Sequence, residues 1–518
     1  MNQPYVLQAE TAFADSLIWD LNRNYYETQG IEAWSSGAVP SNLTSNSFVG
    51  KTYAALIFGF LKDLANQNKT TETVYIVELG AGHGRFAFHV LKHLESLTTK
   101  TTLELPSFCY VLTDIASDNL SFFMNHPQLQ TYFERGVLDV AYLDAMEGES
   151  LELKKSGKTI TAGDLQQPLI AIANYFFDSI PTDLFHFKNS AVSSCSVALE
   201  TAIDPKGLDT PTLIKLLKTN YTQKKITAPF YENKILNEMV LDYQKQLHDT
   251  YLFFPKKGLQ CIDRLRAFSK EGLMLLSMDK GFYNLSDLEN VAEPDMITHG
   301  SLSFWVNFNA LETFCKKSGG HAFFSTANNF QFELGCLLFL SDDNSYEETQ
   351  IAYQRFVNDF GPGDYNSLKK ASYKNIAHAT LSELFTMIRL SAYDSSFFMA
   401  ILPRIKQLAR RISKKQRILL NKTMHQVWDM YFTLYEKEDL AYEIGGLLYD
   451  LGFYQEALQY FVNSTTTLGE KADVFYNQIL CHYQLRQDDQ FRSTLKVAKA
   501  KFPNYKRFAQ LEALDLNA

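Results

Sequence analysis

The chain has 518 residues, 46% of them hydrophobic and 14% aromatic, enough apolar material for about three ordinary domains or for two with an insertion. Its 49 Lys+Arg against 58 Asp+Glu leave a net charge of −9, which excludes a surface dominated by basic residues and argues against sequence-independent nucleic-acid binding. The longest obvious apolar run, Tyr53 to Leu61, falls short of the roughly 20 residues that span a bilayer. The first twenty residues carry Glu10, Asp15 and Asp20 with no basic start, and no CxxC joins the six cysteines. A soluble cytoplasmic chain is expected, with no export signal, disulfide framework or zinc site.

In chain order, residues 1–70 read as helices with an irregular connector rich in Gly, Ser, Asn and Pro, ending in a buried helix over Thr52–Leu64. Val74–Val77 is a short apolar run followed by a glycine cluster and a helical stretch, Arg85–Leu97: strand, tight turn, helix. The alternation recurs at Phe108–Thr113, near Val137–Val140 and at Leu169–Ala173, which predicts a doubly wound α/β domain with a parallel sheet over residues 71–340. Residues 199–257 read as a helical insertion, after which strands return at Leu273–Ser277, Ser301–Val306 and Phe332–Leu340. A polar break after Leu340 places a linker at 341–374, followed by an all-helical region over 375–518.

The turn Glu78-Leu79-Gly80-Ala81-Gly82-His83-Gly84 sets glycines at alternate positions between a strand and a helix, where a residue without Cβ lets the backbone approach a ligand closely. The Lys-Ser/Thr pair of a phosphate loop and the GxGxxG spacing of a dinucleotide fold are both missing. Such glycines also serve plain tight turns, and Asp114 at the end of the next strand would serve as a helix cap. The ordered combination E-x-G-x-G-x-G, strand and acid nevertheless resembles motif I of class I S-adenosylmethionine-dependent methyltransferases. That resemblance implies that the turn contacts the methionine part of the cofactor and that Asp114 accepts both ribose hydroxyls, a task suited to an acceptor-only carboxylate. By the same resemblance Asp139, with Val140, stands where adenine is contacted; a solvated loop acid is the other reading.

Asn174-Tyr175-Phe176-Phe177-Asp178-Ser179-Ile180-Pro181 resembles the N-E-x-F-D-A-L-P signature of the MidA-like methyltransferases, a family that includes a protein-arginine methyltransferase. Ser277-Met278-Asp279-Lys280-Gly281 resembles its I-D-Y-G, Val306-Asn307-Phe308 its V-D-F, and Tyr25-Tyr26 part of its G-Y-Y, so the likeness covers about residues 15–340. Tyr175, Lys280 and Asn307 depart from the family's Glu, Tyr and Asp. Two acidic positions become neutral, which argues against a guanidinium substrate. The likeness implies S-adenosyl-L-methionine as cofactor, with S-adenosylhomocysteine as product. Its cofactor contacts would come from Glu78, Gly80, Ala81, Gly82, Gly84, Asp114, Ile115, Asp139, Val140 and Asn174, and its catalytic groups would be Asp178, Asn174 and Tyr175. Asp178 alternatively caps a helix.

Three further features stand out. His89 and His93 are spaced for a shared metal but lack a carboxylate partner, so a half-buried helix face is expected and no metal. Arg404, Lys406, Arg410, Arg411, Lys414, Lys415 and Arg417 form a basic helical stretch, either a solvated face or a surface for an acidic partner or membrane. Leu440–Leu468 and Val474–Pro503 are similar to one another and resemble the tetratricopeptide repeat, which implies a groove for a protein partner. The expected function is methyl transfer to a protein recruited by the repeats; a catalytically degenerate scaffold and a small-molecule methyltransferase are the alternatives.

Overall fold

The N-terminal region opens with a strand where helices were expected: Tyr5–Ala12 (β1) precedes helices Leu17–Gln29 (α1) and Ser47–Asn66 (α2). β1 is an edge strand with no fully buried residue, so it lacks the alternating apolar face that would mark it in sequence, and pairing with a later strand decides its conformation. The structure, a computed structural model, describes residues 4–35, 43–299, 301–325, 332–342, 344–435 and 438–515. It divides into two units, residues 1–366 and 367–518.

The first unit continues through Val74–Glu78 (β2), Arg85–Thr98 (α3), Phe108–Asp114 (β3), Ser117–Asn125 (α4), Leu138–Tyr142 (β4), Leu169–Asn174 (β5), Asp183–Lys188 (β6), Ala191–Thr201 (β7) and Lys218–Ile226 (β8). Then follow Lys234–Gln246 (α5), Asp249–Phe254 (β9), Lys256–Ala267 (α6), Gly272–Phe282 (β10), Phe308–Lys317 (α7), His321–Phe323 (β11), Phe332–Leu340 (β12) and Glu347–Tyr353 (α8). The main sheet has the order β11-β12-β10-β5-β2-β3-β4. Strands β10, β5, β2, β3 and β4 run parallel, whereas β12 is antiparallel to its neighbours β10 and β11. Every residue of β2 is buried, as a parallel strand covered on both faces requires. Gly50 lets α2 lie close on α3, since a Cβ there would come within 2.4 Å of the His89 Cβ.

Residues 199–257 are helical in Thr210–Leu216, in α5 and at the start of α6. The strands of this span belong to a second, antiparallel sheet of order β1-β7-β6-β9, with β8 pairing β7 off that path. Strand β8 has the sequence KTNYTQKKI and is largely exposed, so its polar composition suits an edge strand and hides it from a reading based on apolar periodicity.

Of the segment expected to be a linker, 341–374, residues up to 366 fall in the first unit. Asp63 on α2 accepts from Glu348 N at 3.0 Å, Thr349 N at 2.8 Å and Thr349 Oγ1 at 2.7 Å, capping α8, while Lys62 pairs with Glu348 and Tyr353 OH donates to Leu334 O at 2.6 Å. Replacing Asp63 by Ala leaves those buried donors without an acceptor and should destabilise this unit by about 2–3 kcal/mol in chemical denaturation. An unchanged midpoint would count against the docking.

The second unit holds helices Leu381–Leu390 (α9), Ser395–Ala409 (α10), Lys414–Asp429 (α11), Leu440–Asp450 (α12), Tyr454–Leu468 (α13), Ala472–Gln484 (α14), Asp488–Lys501 (α15) and Phe508–Asp515 (α16). Gly445 on α12 admits the ring of Phe461 on α13, 2.9 Å from where its Cβ would stand. The next pair repeats the design with bulkier parts: Phe491 is buried where the first has Ala457, and Arg486 keeps the left-handed turn (φ 55°) that Gly452 makes in the first (φ 81°). Of the basic stretch, Arg404 donates to Ala379 O and Lys406 pairs with Glu443, whereas Arg410, Arg411, Lys414, Lys415 and Arg417 are exposed. Among the described residues no helix is long and apolar enough to cross a membrane.

Candidate active site

The main sheet winds outward from β2 through β3 to β4 on one side, and from β5 to β10 on the other. A crevice therefore opens at the carboxyl ends of β2 and β5, the place where open α/β sheets bind ligands. The turn after Glu78 borders it. Gly80, Gly82 and Gly84 all take left-handed conformations, φ 58°, 60° and 73°, which disfavour any residue with a Cβ. A Cβ on Gly80 would meet nothing within 4 Å, so this backbone is open to a ligand; one on Gly82 would meet Trp34 at 2.9 Å, and one on Gly84 would meet Phe123 at 3.2 Å.

Asp114 lies across the crevice at the end of β3 and fixes the turn. Its Oδ2 accepts from Gly82 N at 2.9 Å and its Oδ1 from Ala116 N at 2.9 Å, and each oxygen keeps capacity for a second donor. Glu78 is fully buried, accepts from Tyr110 OH at 2.8 Å, and is pushed up to about 8 by burial, with Asp114 adding to the rise. The turn thus carries a carboxyl group that ionises near neutral pH.

The other end of the crevice is acidic and aromatic. Asn174 at the tip of β5 accepts from Tyr53 OH, while its Nδ2 is buried with no partner. Tyr175 follows in a left-handed conformation, φ 48°, a strain of about 1–3 kcal/mol for a bulky residue, such as gathers at functional sites. Asp178 is buried and accepts from Ser179 Oγ at 2.8 Å. The neighbouring β10 supplies Asp279, fully buried, with Oδ1 accepting from Lys280 N at 2.8 Å and Oδ2 unpartnered. Burial raises both carboxyls, and the charge of Asp178 raises Asp279 further.

One cavity of about 450 Å³ joins the two ends, and it is lined by Glu78, Gly80, Ala81, Gly82, Asp114, Ile115, Asn174, Tyr175 and Asp178. Gly84 is absent from this lining and forms the cap of α3. Asp139 and Val140 are not brought to the cavity either. Strand β4 runs on to Tyr142, so its carboxyl end is Leu143 and Asp144, which do line the cavity. The Asp139 carboxylate, in mid-strand, accepts instead from the backbone of Val140, Lys155 and Ser156 at 2.7, 2.8 and 3.0 Å. Asn307 is likewise remote: it caps α7 through Ala310 N at 2.9 Å and donates to Phe253 O at 3.0 Å, so its lost charge says nothing about a substrate. His93 bonds Ser47 at 3.0 Å, and no group of ligating side chains fit for a metal occurs among the described residues.

Sequence reasoning missed the cover of the cavity: Trp19, Arg23, Tyr26 and Trp34 from the N-terminal region, with Lys280 and Ser301. Arg23 bonds Asp144 across the rim at 2.6 Å. The Tyr25-Tyr26 and Ser277–Gly281 motifs were the available signals for Tyr26 and Lys280, whereas Trp34 carries none. The open Gly80, the unpartnered amide of Asn174 and the acceptor carboxylates at 78 and 114 fit a ligand bearing an amino group and paired hydroxyls, as S-adenosyl-L-methionine does.

Comparison with known proteins gives the class. Residues 59–286 match the model of a family described as "Putative S-adenosyl-L-methionine-dependent methyltransferase". The match covers less than half of the chain; over that span the chain is similar to this methyltransferase family, which supports S-adenosyl-L-methionine as the cofactor. Three similar solved structures come from Burkholderia thailandensis. An uncharacterized protein is 13% identical, with TM-score 0.37 over 61% of this chain and 74% of that one. A protein of the same superfamily bound to S-adenosyl-homocysteine is 12% identical, with TM-score 0.33 over 60% and 79%. An O-methyltransferase family protein is 9% identical, with TM-score 0.28 over 63% and 65%. No curated protein matches the chain.

Proposed function

We propose that this protein is a class I methyltransferase of the MidA-like type that methylates a protein acceptor recruited by its C-terminal helical repeats. One observation carries the enzyme reading: the open glycine turn, Asp114, Asn174 and Asp178 meet in a single cavity at the switch point of the sheet. The cofactor supplies an electrophilic methyl group whose C–S electron pair stays on sulfur as the acceptor's lone pair forms the new bond. The chain's part is to position and deprotonate. Gly80, Asp114, Ile115 and Asn174 hold the cofactor, with Glu78 facing its amino end. Asp178, its carboxyl drawn upward by burial, takes the acceptor's proton, and Tyr175 shapes the acceptor side. A small-molecule acceptor is the second reading, favoured by a cavity of about 450 Å³, within the range of small-ligand sites.

Calorimetric titration of the full chain with S-adenosylmethionine tests this, and micromolar affinity is expected. Because Glu78 is held at about 8, its ionised form is scarce below that pH. Affinity for the cationic cofactor should therefore increase as pH rises from 6 through 8, by up to about tenfold per unit, and Glu78→Gln should flatten the dependence. Absence of binding at every pH would sink the reading.

A further inference from the structure

We propose that Tyr26 and Trp34 form an aromatic wall that makes the cavity prefer the cationic sulfonium of the cofactor over the neutral thioether left after transfer. The inference rests on the cofactor reading above. Both residues precede position 59, where the family match begins, so the match does not carry this role to them.

Trp34 lies on the glycine turn, its ring 2.9 Å from where a Gly82 Cβ would stand, and it meets His83 edge-on with centroids 5.8 Å apart. Tyr26 stacks on Trp34 at 6.0 Å with 25° between the rings, and its hydroxyl donates to Ser301 Oγ at 2.9 Å. Tyr26, Trp34, Gly82, His83, Asp178 and Ser301 all line the same cavity. The stacked pair thus starts at the glycine turn and lines the same cavity as Asp178, so a cofactor held between turn and carboxyl has the rings beside it.

The cavity lining carries six carboxyl groups against the three cations Arg23, Lys257 and Lys280, a balance that suits a sulfonium. The face of an aromatic ring attracts a cation and gives a neutral thioether no such gain. His83, which meets Trp34 edge-on, is pushed down to about 3 by burial and by Arg85, so it stays neutral beside the ring. Burial and the charge of Asp178 raise the Tyr26 phenol, which keeps its ring uncharged. Once the methyl has left, the attraction is gone, so the wall favours binding of the reactant and release of the product.

Titration of the full chain and two variants with S-adenosylmethionine and S-adenosylhomocysteine tests the wall. Trp34→Leu keeps apolar bulk without a π face and should weaken S-adenosylmethionine by about 3- to 30-fold while S-adenosylhomocysteine moves by less than about twofold. Trp34→Phe restores a π face and should keep the wild-type preference. Retained product binding shows that the variants are folded. Equal losses for the two ligands in Trp34→Leu, or no loss, overturn the wall alone; a wild type that binds neither ligand removes the cofactor reading and the wall with it.

Discussion

Replacing Asp114 by Ala should weaken S-adenosylmethionine binding by at least about a hundredfold. Two effects combine. The carboxylate that would take the ribose hydroxyls is removed, and charge-assisted hydrogen bonds contribute about 1.5–3 kcal/mol each. The substitution also frees Gly82 N and Ala116 N, which Asp114 holds at 2.9 Å, so the glycine turn loses its fixed shape. Asp114→Asn, with one acceptor oxygen in place of two, should lie between wild type and Ala. The dissociation constant of each variant, with its thermal unfolding as control, separates cofactor contact from turn stability. An Ala variant that binds as well as wild type would show that Asp114 serves the turn only.

The second large effect concerns Asp178 and has opposite signs on activity and stability. Methyl transfer by Asp178→Asn should fall by about 10²–10⁴-fold, the usual contribution of a positioned base. Its stability at pH 7 should rise. Burial raises the Asp178 carboxyl in the folded state, so the folded protein holds this proton at pH values where the unfolded chain has lost it. Stability is therefore highest below the ordinary carboxylate range and is lost as pH rises through the folded value. At pH 7 the buried charge is a cost, and Asn, which still accepts from Ser179, removes it; a gain of about 1–3 kcal/mol is expected, vanishing near pH 3. Denaturation of the two proteins across this pH range is the measurement. A variant less stable than wild type at pH 7 would mean that the carboxylate is compensated in place and is no poised base.

The glycine turn and the parallel sheet could be read in the sequence because their signals are local: an apolar run, three glycines, a helix, another run, an acid. Features set by contacts between distant segments could not. Strand β8 is polar along most of its length and exists because β7 offers it a partner. Asp139 looked like a strand-end acid because Val140 seemed to close the strand, but pairing with β3 carries β4 on to Tyr142, which shifts the cavity-lining positions to Leu143 and Asp144. Asp279 was visible as part of a motif, yet its place beside Asp178 follows from β10 and β5 being neighbours in the sheet. Trp34 reaches the site only through the fold of the N-terminal region over the turn, and nothing around it in sequence marks that.

The docking of residues 346–353 on α2 bears on how the first unit can be handled in isolation. A fragment cut at the end of β12, where the polar break invites a boundary, would strip Tyr346 from Phe60, whose rings stack at 5.4 Å, and would remove the chain that covers Gly59, where Glu348 O lies 2.7 Å from the site of a Cβ. The same helix carries Tyr53, whose hydroxyl holds Asn174, so the bared surface and the cofactor cavity share one rigid rod. Such a fragment would expose an aromatic patch, tend to aggregate and hold its ligand poorly, whereas one that extends to residue 366 keeps the unit whole.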